Sequence, residues 1–336
     1  MINDKFQRIL ISTLKTLITS LVLAFSISCE HSISILQNDK LDLTNKWEIV
    51  SSWPDFPAIT FLSLDSLLFV GSHRQGVYST KDNGITWHQH NTGLPEYPTV
   101  STLAVKDDLI FLGVNSDGIF KTANPGTSWT GPLKGLPEHP RIRDLLVRKD
   151  VIFAGIADLV GVYKSTDNGE SWSYSGLSKW VGSLLWHDNE LFAAAAASGG
   201  VSKSSDGGQT WVTILENQVC YGFAVWNDRI LVGTNEGVFI SDDNGETWRP
   251  SNNGLPTRLP PNSFVVWKDY ILLSSYNYGI YLSEDGGNSW SPMNEGLEKI
   301  EHFVAFGVHN NRLYLSAENF EDRYELWTRS LSDDSD

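Results

Sequence analysis

Seven tryptophans recur along this chain at an almost constant interval. They are Trp47, Trp87, Trp129, Trp172, Trp211, Trp248 and Trp290, separated by 40, 42, 43, 39, 37 and 42 residues. The last six each close the same eight-residue phrase, Ser/Thr-x-Asp-x-Gly-x-Ser/Thr-Trp. Its aspartates are Asp82, Asp167, Asp206, Asp243 and Asp285, and a worn copy ending at Trp129 carries Asn124 in place of the acid. A fixed period near forty residues means one supersecondary unit stacked repeatedly, which constrains the fold more than any composition does.

Each unit carries more than the box. Val100–Val105, a polar turn at 106–108, Leu109–Val114, a turn at 115–118 and Ile119–Lys121 precede the worn box. Short runs rich in Val, Leu, Ile and Phe between Gly/Asn/Asp turns read as strands. The box supplies the next turn and its Trp opens a fourth strand, so four antiparallel strands per period predict a β-propeller blade. Within the box, Gly permits positive φ and the Asp or Asn before it can bond its own backbone. The Trp ring is expected to bury itself where neighbouring sheets meet. Asp-Asn-Gly and Asp-Gly-Gly also look like fragments of calcium loops, but such loops need further oxygens and a bidentate Glu that no copy supplies.

The repeated box resembles the Asp-box family, also called bacterial-neuraminidase (BNR) repeats. These occur in sialidases, some endoglucanases, sortilin-type receptors and photosystem II stability and assembly factors. The resemblance covers about residues 45–336 and implies a sialidase-like propeller, with the boxes on the periphery away from any working face. It carries fold rather than function.

Six boxes do not mean six blades. Past Trp290 come Phe303–Val308, Arg312–Ser316 and Tyr324–Thr328 with no box after them, while Trp47 and Glu48–Val50 look like a fourth strand lacking its first three. Pairing the two termini predicts a seventh blade and a ring without open edges.

Residues 1–28 stand apart, with Lys5, Arg8 and Lys15 ahead of an apolar run from Thr16 to Ser28. That run is too short to span a membrane and fits an export signal. Ser26-Ile27-Ser28 before Cys29 resembles a bacterial lipobox, with Ser26 where Leu is usual, which implies lipidation of Cys29. The alternatives are a plain cleaved signal or an uncleaved anchor. Residues 29–44 then form a tether, and the predicted address is the cell envelope, with the lipid as the only membrane contact. Without residues 1–28 the chain keeps 22 Lys+Arg against 39 Asp+Glu, a net charge of −17. That balance disfavours nucleic acid. Cys220 is the only other cysteine and reads as a small buried apolar residue, and the scattered histidines, His88, His90, His187 and His309 among them, read as solvated. Neither a metal nor a cofactor is expected.

A blade places its box hairpin and the turn between strands one and two on one face. The loops between strands two and three and the inter-blade connections share the other. The recurrent Gly-Leu-Pro of those connections is expected to be structural. Side chains standing outside the repeat are the candidates for a binding face: Arg74, Tyr97, His139, Arg141, Arg143, Trp180, Arg258, Tyr276, Tyr278 and His302. A sialidase needs three arginines around a carboxylate, because guanidinium forks match carboxylates bidentately. Here the first blade starts Phe56–Phe61 without arginine, and Arg141-Ile-Arg143 is followed by Asp144 rather than Pro. No zinc-protease, nucleophile-elbow or phosphate-loop motif occurs. The best resemblance in plan is to the photosystem assembly propellers, which implies a scaffold that grips a protein with one face. Their arginine-rich patch has no clear counterpart in this acidic chain. The reading is thus a monomeric, non-catalytic scaffold for an exported protein or glycan, with a sialidase-like glycosidase as the alternative.

Overall fold

The computed structural model describes residues 41, 45–123, 128–158, 160–197 and 199–331. Cys29 and Asn124 lie outside the described residues. The compact unit that ends at Leu331 contains twenty-seven strands and, among the described residues, no helix.

The strands form seven antiparallel sheets. Blade 1 is built from Ala58–Leu64, Leu67–Ser72, Gly76–Thr80 and His88–Gln89. Blades 2 to 6 follow in order over residues 100–122, 142–174, 181–215, 220–250 and 263–292. Blade 7 combines Ile300–His309, Arg312–Asn319 and Tyr324–Ser330 with the N-terminal pair Glu48–Ile49, which lies antiparallel to the third of these strands with Glu48 opposite Thr328 and Ile49 opposite Trp327. The first strands of successive blades contact one another around the whole circle, blade 7 touching blade 1. The second strand of each of the first six blades is buried at every position but its first. Neighbouring blades cover both of its faces, so it reads as a continuous apolar run instead of an alternation.

The boxes are closed hydrogen-bond circuits. In blade 3, Ser165 Oγ accepts from Gly169 N (2.9 Å) and donates to Asp167 Oδ1 (2.8 Å). Asp167 then accepts from Ser171 N at 2.9 Å and from Ser171 Oγ at 2.6 Å. Asp82, Asp206, Asp243 and Asp285 make the same two bonds to the seventh residue of their boxes. Both carboxylate oxygens are therefore committed within the turn.

Four of the seven tryptophans staple their blade to the one before. Nε1 of Trp129, Trp211, Trp290 and Trp47 donates to the carbonyls of His90, Ser175, Ser251 and Met293, at 2.7, 2.8, 2.9 and 3.3 Å. Each acceptor stands three residues past the previous tryptophan, so Trp47 occupies the repeat's position across the chain termini. Trp129, Trp172 and Trp290 are buried, while Trp87, Trp211 and Trp248 keep a partly open edge.

Gly-Leu-Pro is structural, as its recurrence suggested. Backbone N–H groups of Trp129, Trp172 and Trp290 bond the residues preceding Gly93, Gly135 and Gly254. A Cβ on these glycines would stand 2.2, 2.2 and 1.9 Å from the tryptophan carbonyl oxygens, and their φ values are +88°, +91° and +88°.

Two expectations are corrected. Blade 2 has three strands, its fourth reduced to one bridge between Lys121 and Thr130. One extra residue intervenes before Leu133 N returns to Ile119 O, and Pro132 has no N–H to continue the ladder. His309 is not solvated: it is 2% exposed, ends a strand, and its Nδ1 lies 2.8 Å from Ser63 Oγ of blade 1. His90 is likewise half-buried, against Ser79 Oγ at 2.7 Å. Cys220 is buried as expected, which pushes its thiol up to about 12.

Candidate binding face

The face opposite the boxes is shaped by a repeated irregularity. Near the start of its first strand, each blade except blade 6 skips one residue in the register. The skipped residues are Ile59, Ser101, Arg143, Gly182, Tyr221 and Glu301. A bulge of this kind re-aims the side chain it frees, and such bulges cluster at rims and sites. Three of them, Ile59, Ser101 and Arg143, line one cavity of about 420 Å³ together with His73, Thr99, Asn115, Ser116 and Arg141.

This cavity is basic. Arg141 Nη1 reaches Asp158 Oδ1 at 3.3 Å, whereas Arg143 has no ion pair or hydrogen bond among the described residues. Burial and the neighbouring Arg141 both lower the pKa of Arg143, with Asp158 opposing them. An arginine stays charged under such shifts. Its donors are free for a carboxylate or carbonyl.

In sequence, Tyr97, His139 and Arg258 stand outside the repeat. The structure shows that they share one backbone position, four residues past Gly93, Gly135 and Gly254, with φ of +56°, +48° and +57°. Left-handed backbone is disfavoured for large side chains, so nothing local selects Tyr, His or Arg there. Arg74, at φ +61°, lies over the Tyr97 ring at 5.5 Å. Arg258 faces Glu236 at 3.5 Å, and His139 Nδ1 lies 3.3 Å from Ser116 O. Arg74, Arg143 and Arg258 thus have three different settings, and neither Arg74 nor Arg258 lines the cavity that holds Arg143. Trp180 is half-buried, its carbonyl accepting from Ala196 N.

Blades 6 and 7 carry a second, contrasting patch. Tyr276 stacks on His302 with ring centroids 4.2 Å apart and planes 10° from parallel. Tyr278 is exposed nearby in sequence, and Phe320, in the corresponding loop of blade 7, is 67% exposed. Burial raises the Tyr276 and Tyr324 hydroxyls, and the carboxylate of Glu318 adds to both shifts. Phe320, Tyr324, Tyr221 and Glu301 also belong to this face and are not among the residues the sequence singles out. A hydrophobic residue in a polar loop was the available signal for Phe320; the bulges left none.

The BNR/Asp-box repeat profile matches residues 239–250, which run from the third to the fourth strand of blade 5. This chain is a seven-bladed propeller that carries a BNR/Asp-box repeat. Among curated proteins no sequence match is found. Among solved structures, the propeller is similar to YCF48 bound to a D1 peptide, with a TM-score of 0.69 and 16% identity over 89% of this chain and 99% of that one. YCF48 from Cyanidioschyzon merolae gives 0.62 and 12%, covering 84% and 98%. PorZ, a surface component of the type-IX secretion system of Porphyromonas gingivalis, gives 0.62 and 13%, covering 83% of this chain and 47% of that one. At these identities the propeller shares their fold.

Proposed function

We propose that this Asp-box propeller is a non-catalytic scaffold that grips an exported protein with the face opposite its boxes. The carrying observation is where the exposed aromatics fall. Among the described residues, six large hydrophobics with aromatic rings are exposed; Tyr97, Tyr221, Tyr276, Tyr278 and Phe320 belong to this face, leaving Tyr174 on an outer strand. Aromatic and arginine anchors dominate binding energy at interfaces. The unpaired Arg143 on blade 3 and the carboxylates Glu301 and Glu318 on blade 7 offer a partner both signs of charge. A protein chain matches that better than a glycan. The peptide held by the similar YCF48 structure is consistent with a protein ligand.

A sialidase-type site is disfavoured because Arg74 and Arg258 do not join Arg143 in its cavity, which leaves no trio of arginines there. Export rests on residues 1–28, and lipidation of Cys29 would hold the ring at the envelope on its tether.

The test is a pull-down from envelope extract with wild type, an Arg143→Ala/Phe320→Ala variant and a Tyr174→Ala control. A partner kept by the control and lost by the double variant supports the reading. Identical partner lists for all three would remove the face from consideration.

A further inference from the structure

On the opposite face, the cleft between blades 3 and 4 departs from its counterparts around the ring. It has a volume of about 320 Å³, within the range of small-molecule sites. Phe153 and Trp186 line it together with Arg148, Lys149, Lys164 and Gly207. The Trp186 ring stacks on Phe153 at 6.1 Å, and the Arg148 guanidinium lies over it at 5.7 Å. Asp150 is the one acidic residue of the lining, against three cations.

The repeat shows what is missing here. On the third strand of blades 2, 3 and 4, Lys121, Lys164 and Lys203 take the same position and each reaches a carbonyl in the next blade's box. Lys121 also pairs with Glu170 and Lys203 with Glu246, both at 2.6 Å. The residue at that place in the blade 4 box is Gln209, whose amide donates instead to Asp206 O at 3.0 Å. Lys164 is left without a carboxylate among the described residues.

The space is also open for a local reason. Boxes of blades 1, 3 and 5 carry Asn83, Asn168 and Asn244 where blade 4 has Gly207. A Cβ on Gly207 would meet nothing within 4 Å, whereas at the equivalent Gly286 it would stand 2.4 Å from the Trp226 ring. Trp226 ends the first strand of blade 5, and Arg148 ends that of blade 3. A tryptophan thus fills one cleft, and an arginine stands beside the void in the other.

We propose that this cleft binds a carboxylate carried on an aromatic or branched aliphatic body, either a small free acid or the C-terminal residue of a peptide. Lys164 and Arg148 take the carboxylate in place of the missing box glutamate. The body lies against Trp186 and Phe153. The site is independent of the face proposed to grip a partner.

The test is calorimetric titration of the purified protein with 3-phenylpropionate and with N-acetyl-Ala-Ala-Phe, each against its carboxamide. The acids should bind at least about tenfold more tightly than the amides. Two substitutions restore residues that the other boxes already hold at these positions, so the turn should keep its fold. Gln209→Glu should pair with Lys164, Gly207→Asn should occupy the void, and each should weaken the acids by about tenfold or more. Lys121→Gln should change nothing. A clear preference for the tripeptide marks a chain terminus as the ligand, and equal affinities mark a free acid. Absence of saturable binding, equal binding of the amides, or indifference to Gln209→Glu would overturn the assignment.

Discussion

Trp47 offers the sharpest test of how the ring is held. It lies over two hundred residues from Met293, whose carbonyl its indole N–H meets at 3.3 Å, and it is only 5% exposed. Replacing a buried Trp by Ala typically costs about 3–5 kcal/mol. Unfolding entropy near 2.1 cal/mol/K per residue, over roughly 290 ring residues, gives about 0.6 kcal/mol/K. Trp47→Ala should therefore lower the melting temperature by about 5–8 °C in scanning calorimetry. Trp290→Ala is the matched control, also 5% exposed and bonded to Ser251 O at 2.9 Å. Equal losses would make the N-terminal segment a full member of the ring. Amide exchange in Tyr324–Ser330 should then quicken only in the Trp47 variant, because that strand pairs with Glu48–Ile49. If Trp47→Ala, or deletion of residues 45–52, leaves the transition unmoved while Trp290→Ala shifts it, the closure argument fails.

Other outcomes follow from the same structure. Gly135→Ala should destabilise by more than the roughly 1 kcal/mol of an ordinary Gly effect, since the position needs positive φ and its Cβ would collide with Trp172 O; an unchanged denaturant midpoint would contradict this. Asp144, whose carboxyl accepts from Leu184 N at 2.7 Å across the blade boundary, is pushed up to about 6 by burial. The folded state then holds that proton more tightly than the unfolded chain, so stability should fall as pH rises from about 4 to 6 and level off above. Asp144→Asn should remove that slope and gain on the order of 1–3 kcal/mol at neutral pH, and parallel pH profiles for the two proteins would refute it. Box aspartates act in the opposite sense: bonds from the box hydroxyls and amides hold Asp82, Asp167 and Asp243 at about 2, and their contribution should disappear only as pH falls below about 4. Cys29→Ala should abolish labelling by a fatty-acid analogue, and an unlabelled wild type would leave a plain signal peptide. A fluorogenic sialoside should give no turnover, and turnover abolished by Arg143→Ala would reinstate the glycosidase reading.

The sequence by itself determined the blade. Every bond of the Asp-box joins residues at most four apart, such as Asp167 to Ser171, so turn chemistry and spacing suffice to read it. Blade number followed from counting runs, and the sidedness of the loops followed from antiparallel connectivity. What the tertiary structure alone decided are contacts between repeats. His309 reads as solvated in sequence, beside the polar Asn310 and Asn311, yet it is buried and its Nδ1 lies 2.8 Å from Ser63 Oγ, 246 residues away. The bulge that frees Arg143 shows only in the register of two paired strands. Tyr97, His139 and Arg258 looked unrelated until their shared left-handed backbone placed them at one position. Lys164 is an ordinary strand lysine until blade 4 sets Gln209 and Gly207 beside it, across an interface whose residues lie about forty apart in the chain. Local chemistry repeats and can be read from one unit; burial, free charge and empty space belong to the packing of two.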